Sequence, residues 1–218
     1  MSEITLANPG LVENDEDGTS CFIACSQMTL RTRKGGRVPS FAELDQVIHR
    51  KPGKYSWEYG MLPYFADNGF DVKFISSFDL ERLVDEGNSY MYEYFGKDAA
   101  EDQINNSDMP QAIADIRAFL RSTGVDIQKR VPQRSDISDL LDQGFYLIPY
   151  VNQRILQADP GYVAHTIFVY GYSERGVRAH NPGPPATEAS EIAWDLFIKA
   201  WSSPDEDARL LFAVRPRR

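Results

Sequence analysis

Three features of the sequence predict an α+β fold. Helical amphipathic spacing dominates up to about residue 130, short apolar or alternating runs dominate after it, and Gly-, Pro- and Asn-rich turns separate those runs. The helical half covers about 1–130 and the sheet half about 131–218. No repeat, low-complexity tract or linker divides the 218 residues, so a single domain is expected, with an antiparallel sheet and a cleft between the halves.

The elements follow in order. Residues 13–20 are polar and turn-rich, and Cys21 to Leu30 then turn apolar with helical spacing. Thr19 or Ser20 can cap that helix, and Lys34-Gly35-Gly36 is its expected stop. Further helices are predicted at about 40–50 behind Ser40, at 57–68 ending in Asn68-Gly69, and at 110–121 opened by Pro110. A short strand is expected at 71–75, while 79–107 is acidic, aromatic and without clear periodicity. In the second half, 135–142 reads as a short helix and 144–151 as a buried strand. Strands at 166–170 and 177–180, a helix at 190–201 and a strand at 209–215 complete the pattern, with long loops at 152–162 and 181–190.

Composition narrows the function. With 23 Lys+Arg against 32 Asp+Glu, the formal charge of −9 argues against a broad nucleic-acid footprint or a polybasic membrane patch. No stretch approaches the ~20 apolar residues that span a bilayer. The first ten residues lack a basic segment followed by an apolar run, so a cytoplasmic protein with reduced thiols is expected. Two cysteines and three histidines supply neither a disulfide framework nor a metal cluster, and no metal or organic cofactor is expected. The basic tail Arg215-Pro216-Arg217-Arg218 reads as a solvated terminus, and the aromatic stripe from Tyr90 to Phe95 as core or cleft wall.

The spacings for phosphate-cradling, zinc-protease, dithiol and serine-hydrolase motifs are all absent, which leaves a thiol. Cys21 falls in the first turn of its helix, where backbone amides and the helix dipole favour a thiolate. Cys25, one turn on, reads as core. A thiolate needs a base, and the histidines are His49, His165 and His180. His49 closes a helix and reads as structural or surface. His165 opens an apolar strand after Asp159-Pro160-Gly161, where it can be a satisfied strand-end residue or a base. Asn181, in His180-Asn181-Pro182-Gly183, can orient an imidazole or simply end a strand. Direct opposition of 165 and 181 requires a hairpin centred on Ser173. A tight turn at Glu174-Arg175 would instead oppose Phe168 to Asn181 unless a bulge corrects it.

The run Thr19-Ser20-Cys21-Phe22-Ile23-Ala24-Cys25-Ser26-Gln27-Met28 resembles the nucleophile helix of the double-glycine leader peptidases, the bacteriocin-processing branch of the papain-like cysteine peptidases, and of their stand-alone relatives. The second half adds the order of that family: a short helix, the strand at 144–151, His165 to Tyr170 with Gly171-Tyr172, the corner Asn181-Pro182, and a closing helix that ends in Trp201. The resemblance covers roughly 18–31 and 135–215. It implies a papain-like fold with Cys21 as nucleophile, His165 as general base and acid, and Asn181 as the orienting residue. It departs from the family at two places. Asp15 stands where the family places a Gln that helps form the oxyanion hole, and Phe22-Ile23 replace a Gly-Pro. Either Asn14 supplies an amide after a one-residue shift, the N–H of Cys21 acts with another donor, or the hole is altered at Asp15.

These features lead us to expect a cysteine-dependent acyl-transfer enzyme that works through a thioester on Cys21 and hydrolyses a peptide or amide bond. An amide-forming acyltransferase and a non-catalytic peptide-binding module are the alternatives. The expected partner is a peptide or a small acyl or amide substrate.

Overall fold

The computed structural model describes residues 3–15, 18–51 and 53–217. Glu16 and Asp17 of the loop before Cys21, Pro52, and Arg218 of the basic tail lie outside the described residues.

The chain opens with β1 (Ile4–Thr5) and, after a long loop, α1 (Cys21–Arg31) and α2 (Phe41–Val47). The helix expected behind Ser40 is α2, and Ser40 caps it in a capping box with Glu43. A 3-10 turn (Glu58–Gly60) leads into α3 (Met61–Asp67), and β2 (Phe70–Ser76) follows. The stretch 79–107 resolves into α4 (Leu80–Glu86), α5 (Asn88–Phe95) and α6 (Lys97–Asn106). Its periodicity is hidden because the three helices are short and break at Gly87 and Gly96, both with positive φ. Then come α7 (Met109–Leu120), with Pro110 in its first turn, and β3 (Val125–Lys129). The second half holds α8 (Arg134–Asp142), β4 (Tyr146–Asn152), α9 (Gln153–Leu156), β5 (Ala164–Thr166), β6 (Phe168–Tyr172), β7 (Gly176–Asn181), β8 (Thr187–Ala193), α10 (Trp194–Trp201) and β9 (Leu210–Pro216).

The main strand order is β3-β2-β9-β4-β6-β7-β8, with β1 added beside β6 and β5 beside β4. The α+β class therefore holds, but the sheet is mixed rather than antiparallel: β2 and β3 run parallel, joined by the crossover α4–α7. Nor is the sheet confined to the second half, because β2 pairs with β9 along its whole length, from Phe70↔Pro216 to Ser76↔Leu210. Arg215 and Pro216 of the expected solvated tail accordingly end β9, and Arg217 follows the strand and is exposed. Arg215 and Arg217 both pair with Asp71 of β2, at 2.7 and 3.2 Å.

Helices cover both faces of the sheet. In β9, Phe212 and Val214 face α1 and the helices of the first half, while Leu211 and Ala213 face α8 and α10, so the period of two sorts one strand between two cores. Phe212 lies 5.1 Å from the ring of Phe22 and 5.4 Å from that of Phe74, which seats α1 on the sheet. On the other face Trp194, Phe197 and Trp201 of α10 are buried.

Residues 190–193, expected to begin the last helix, form the end of β8 instead. Their helix-forming residues pair with β7 (Val177↔Ile192, Arg178↔Glu191), so the cross-strand ladder overrides local propensity. A Cβ on Gly176 would lie 2.0 Å from Ile192 O, so the hairpin that starts β7 admits no side chain there. The aromatic stripe divides: Tyr90 and Met91 are buried, while Tyr92 and Phe95 remain exposed. Among the described residues, no helix is long and apolar enough to cross a membrane.

Candidate active site

Cys21 is the first residue of α1 and is half-buried. Ser20 holds the cap position, but neither Ser20 nor Thr19 caps the helix as expected. The Ser20 hydroxyl donates to Asp15 Oδ2 at 2.6 Å, and Thr19 Oγ1 accepts from Arg50 Nη1 at 2.6 Å. The helix ends at Arg31 with Thr32 as its cap, ahead of the expected glycine stop. Cys25 is fully buried, as a core thiol should be, with Sγ 3.8 Å from Thr166 Oγ1.

The same threonine meets the candidate nucleophile. Thr166, through its hydroxyl and its backbone, and the backbone of Phe22 all favour the Cys21 thiolate. Burial outweighs them and pushes the Cys21 thiol above its ordinary value. Glu58 nearby adds to the rise. The thiolate expected from the helix terminus alone is thus opposed by desolvation, and the resting group is a thiol.

His165 follows a different route to its partner. The hairpin turns tightly at Glu174-Arg175, with Ser173 N–H donating to Gly176 O, and Tyr172 pairs with Val177. A bulge between Val169 and Gly171 then shifts the register to Phe168↔His180. Past Ile167, β5 continues along β4 in the register already set by Leu147↔Val169, and there His165 pairs with Val151 and Thr166 with Tyr150. His165 Nε2 nevertheless lies 2.8 Å from Asn181 Oδ1. The ring is 2% exposed, and desolvation pushes its pKa below the ordinary imidazole value, so it is neutral at pH 7.

The tautomer follows from the neighbours. Asn181 Oδ1 also accepts the N–H of Gly183 at 2.9 Å, which fixes that atom as the oxygen. Nε2 must then carry the proton that it shares with Asn181, leaving Nδ1 as the basic nitrogen. The structure joins Cys21 to the histidine strand at Thr166, and joins His165 directly to Asn181.

The two residues considered for the oxyanion hole are both engaged. Asn14 donates its amide hydrogens to Gly18 O at 3.0 Å and Gly183 O at 2.9 Å, while its Oδ1 accepts from Ser20 N at 2.8 Å. Its own N–H donates to Pro182 O. Asn14 thus staples the loop before Cys21 to the corner that carries Asn181. Asp15 accepts from Ser20 and, at 3.5 Å, from Arg50.

The other histidines are accounted for elsewhere. His49 Nδ1 is 2.9 Å from Asp115 Oδ1 and half-exposed, in keeping with its structural reading. His180 is buried against Tyr170, accepting from Ala189 N at Nδ1 and bonded through Nε2 to Asn8 Oδ1.

Sequence reasoning missed Thr166, Glu58, Tyr150 and Arg50. Glu58 is buried, and its carboxyl accepts from Ser56 Oγ at 2.9 Å and from the hydroxyl of Tyr150, the cross-strand partner of Thr166. Burial pushes the Glu58 carboxyl upward. Adjacency to His165 was the one available signal for Thr166. Nothing local marks the other three, which lie far from the motifs in the chain.

No protein-family model matches this sequence, and no curated protein matches it.

Proposed function

We propose that this chain is an acyl-transfer enzyme of papain-like type, with Cys21 as nucleophile, His165 as general base and acid, and Asn181 as orienting residue. The observation that carries the reading is the 2.8 Å bond from His165 Nε2 to an Asn181 oxygen locked by Gly183, which leaves Nδ1 basic on a strand packed against the helix that Cys21 opens.

The chemistry runs from a resting thiol and a neutral imidazole. Nδ1 takes the thiol proton as Sγ attacks the acyl carbonyl, and the imidazolium returns that proton to the departing amine. The resulting thioester then passes its acyl group to water or to an amine. This demands that Nδ1 come within hydrogen-bonding reach of Sγ when substrate is bound, a contact that commonly tightens only in the complex. The substrate class is a peptide or small amide, hydrolysis being the default outcome, and a free thiol nucleophile suits a reducing compartment such as the cytoplasm.

A second reading, a peptide-binding module without turnover, draws on Asn14 and Asp15: the amide of the first is committed to two carbonyls and the second is a carboxylate. A peptide and amide library separates the two. Turnover that disappears in Cys21→Ala, together with an acyl adduct on Cys21 by mass spectrometry, supports the enzyme. Peptide capture without turnover, unchanged in Cys21→Ala, supports the module.

A further inference from the structure

Arg50 closes α2 with a Schellman turn. Its N–H donates to Asp45 O at 2.9 Å and that of His49 to Gln46 O at 3.3 Å, with His49 left-handed at φ 50°. The contact across such a turn is usually apolar. Here it is a two-pronged ion pair, Arg50 Nε to Asp45 Oδ1 at 2.7 Å and Nη2 to Oδ2 at 3.1 Å. The far side of the guanidinium reaches the loop before the candidate nucleophile, Nη1 to Thr19 Oγ1 at 2.6 Å and Nη2 to Asp15 Oδ2 at 3.5 Å. The Arg50 side chain is 8% exposed. Because Asp15 Oδ2 also accepts from Ser20, one cation braces residue 19 directly and residue 20 through a carboxylate.

We propose that Arg50 is a positioning residue for Cys21, holding the start of α1 through Thr19, Asp15 and Ser20 while balancing the charge of Asp15 beside the site. The proposal rests on the reading of Cys21 as nucleophile. It also gives Asp15 a role in place of the family's glutamine: the carboxylate is the link between Arg50 and the residue that precedes the thiol. A planar fork suits this position because it serves Asp45 and the loop together, and a lysine ammonium cannot do so with the same geometry. Among the described residues, Asp45 of α2 and Asp15 of the loop face Arg50, and Glu58 of the 3-10 turn, Tyr150 of β4 and Cys25 of α1 are titratable groups that act on or with Cys21.

The test follows the rate and pH profile of chloroacetamide alkylation at Cys21 by peptide mass mapping, with thermal melting alongside. Buried Cys25 reports the fold by staying protected. In folded Arg50→Gln we expect Cys21 to react about fivefold or more slowly, with its midpoint moved to higher pH by the uncompensated Asp15. Adding Asp15→Asn should restore the midpoint but not the rate, because the charge is gone while the tether is still broken. Arg50→Lys should slow the reaction about threefold. An unchanged rate and profile in folded Arg50→Gln overturns the proposal. If that variant does not fold, an unchanged alkylation rate in Arg50→Lys overturns it. His165→Ala tests the underlying reading separately: a Cys21 profile indifferent to His165 defeats the catalytic assignment, whereas the Arg50 comparison is made with His165 in place.

Discussion

His165 Nε2 meets Asn181 Oδ1 at 2.8 Å although the strands that carry them do not set the two residues opposite each other. Continued past Phe168↔His180, the register of β6 and β7 places Ile167 across from Asn181. Without the bulge after Val169, Phe168 would take that place, and His165, three residues away, would point to the other face. The bulge changes the offset from three to two, which returns His165 to the face of Asn181 as a diagonal neighbour roughly 7–8 Å away at the backbone, a gap that an imidazole and a carboxamide together span.

On this geometry, Asn181→Ala should leave the fold intact and lower Cys21-dependent turnover by about ten- to a hundredfold, because the ring loses the acceptor that fixes its tautomer and direction. Steady-state kinetics on any substrate found for the wild type checks this. Equal kcat and KM in the variant would remove Asn181 from the mechanism.

Cys21 should alkylate slowly at pH 7 and accelerate only as pH rises above the ordinary thiol range, since burial and Glu58 hold its proton. Glu58→Gln should bring that midpoint down by relieving the charge. A rate profile with a midpoint well below the ordinary thiol value in the resting protein would show that the helix terminus, and not desolvation, controls the sulfur.

Stability should fall at both ends of the pH scale for identifiable reasons. His165 and His180 have lowered folded pKa values because both are buried, so as pH drops below about 6.5 the unfolded chain binds protons that the folded one refuses, and stability is lost. Protonating His180 would also break the bond that its Nδ1 accepts from Ala189. Cys25 has a raised pKa, so its contribution is complete below the ordinary thiol value and is lost as pH climbs beyond it. Urea denaturation across pH reads both limbs. Replacing Cys25 by Ala should make the alkaline one shallower, with Cys21 and Tyr150, both raised by burial, carrying the remainder.

Phe212→Ala should cost about 3–5 kcal/mol, because its ring joins Phe22 of α1, Phe74 of β2 and Tyr150 of β4 across one face of the sheet. Cys21 should also lose its distinctive alkylation profile in this variant, since Phe22 is its neighbour and no longer has a seat. Denaturant melts give the first quantity and peptide mapping the second.

The sequence by itself determined the elements whose signals are local. Ser40 before an amphipathic run, Pro110, Asn68-Gly69 and the apolar run at 209–215 act on neighbours a few residues away, so helix starts, a helix stop and a strand could be read directly. Cys21 at a helix start, Cys25 in the core and Asn181 at a strand-ending corner belong to the same class. Tertiary structure decided what depends on partners far apart in the chain. It paired β2 with β9 and with β3 in parallel, and it pulled 190–193 from helix into β8 because a free edge of β7 was there to bond. It also placed Thr166 against the Cys25 sulfur, turned Asn14 into a staple across 169 positions, and brought Arg50 to the loop before Cys21. The physical reason is range. Capping and periodicity act within one or two turns of chain, whereas desolvation, cross-strand register and ion pairing exist only once distant segments share the same space.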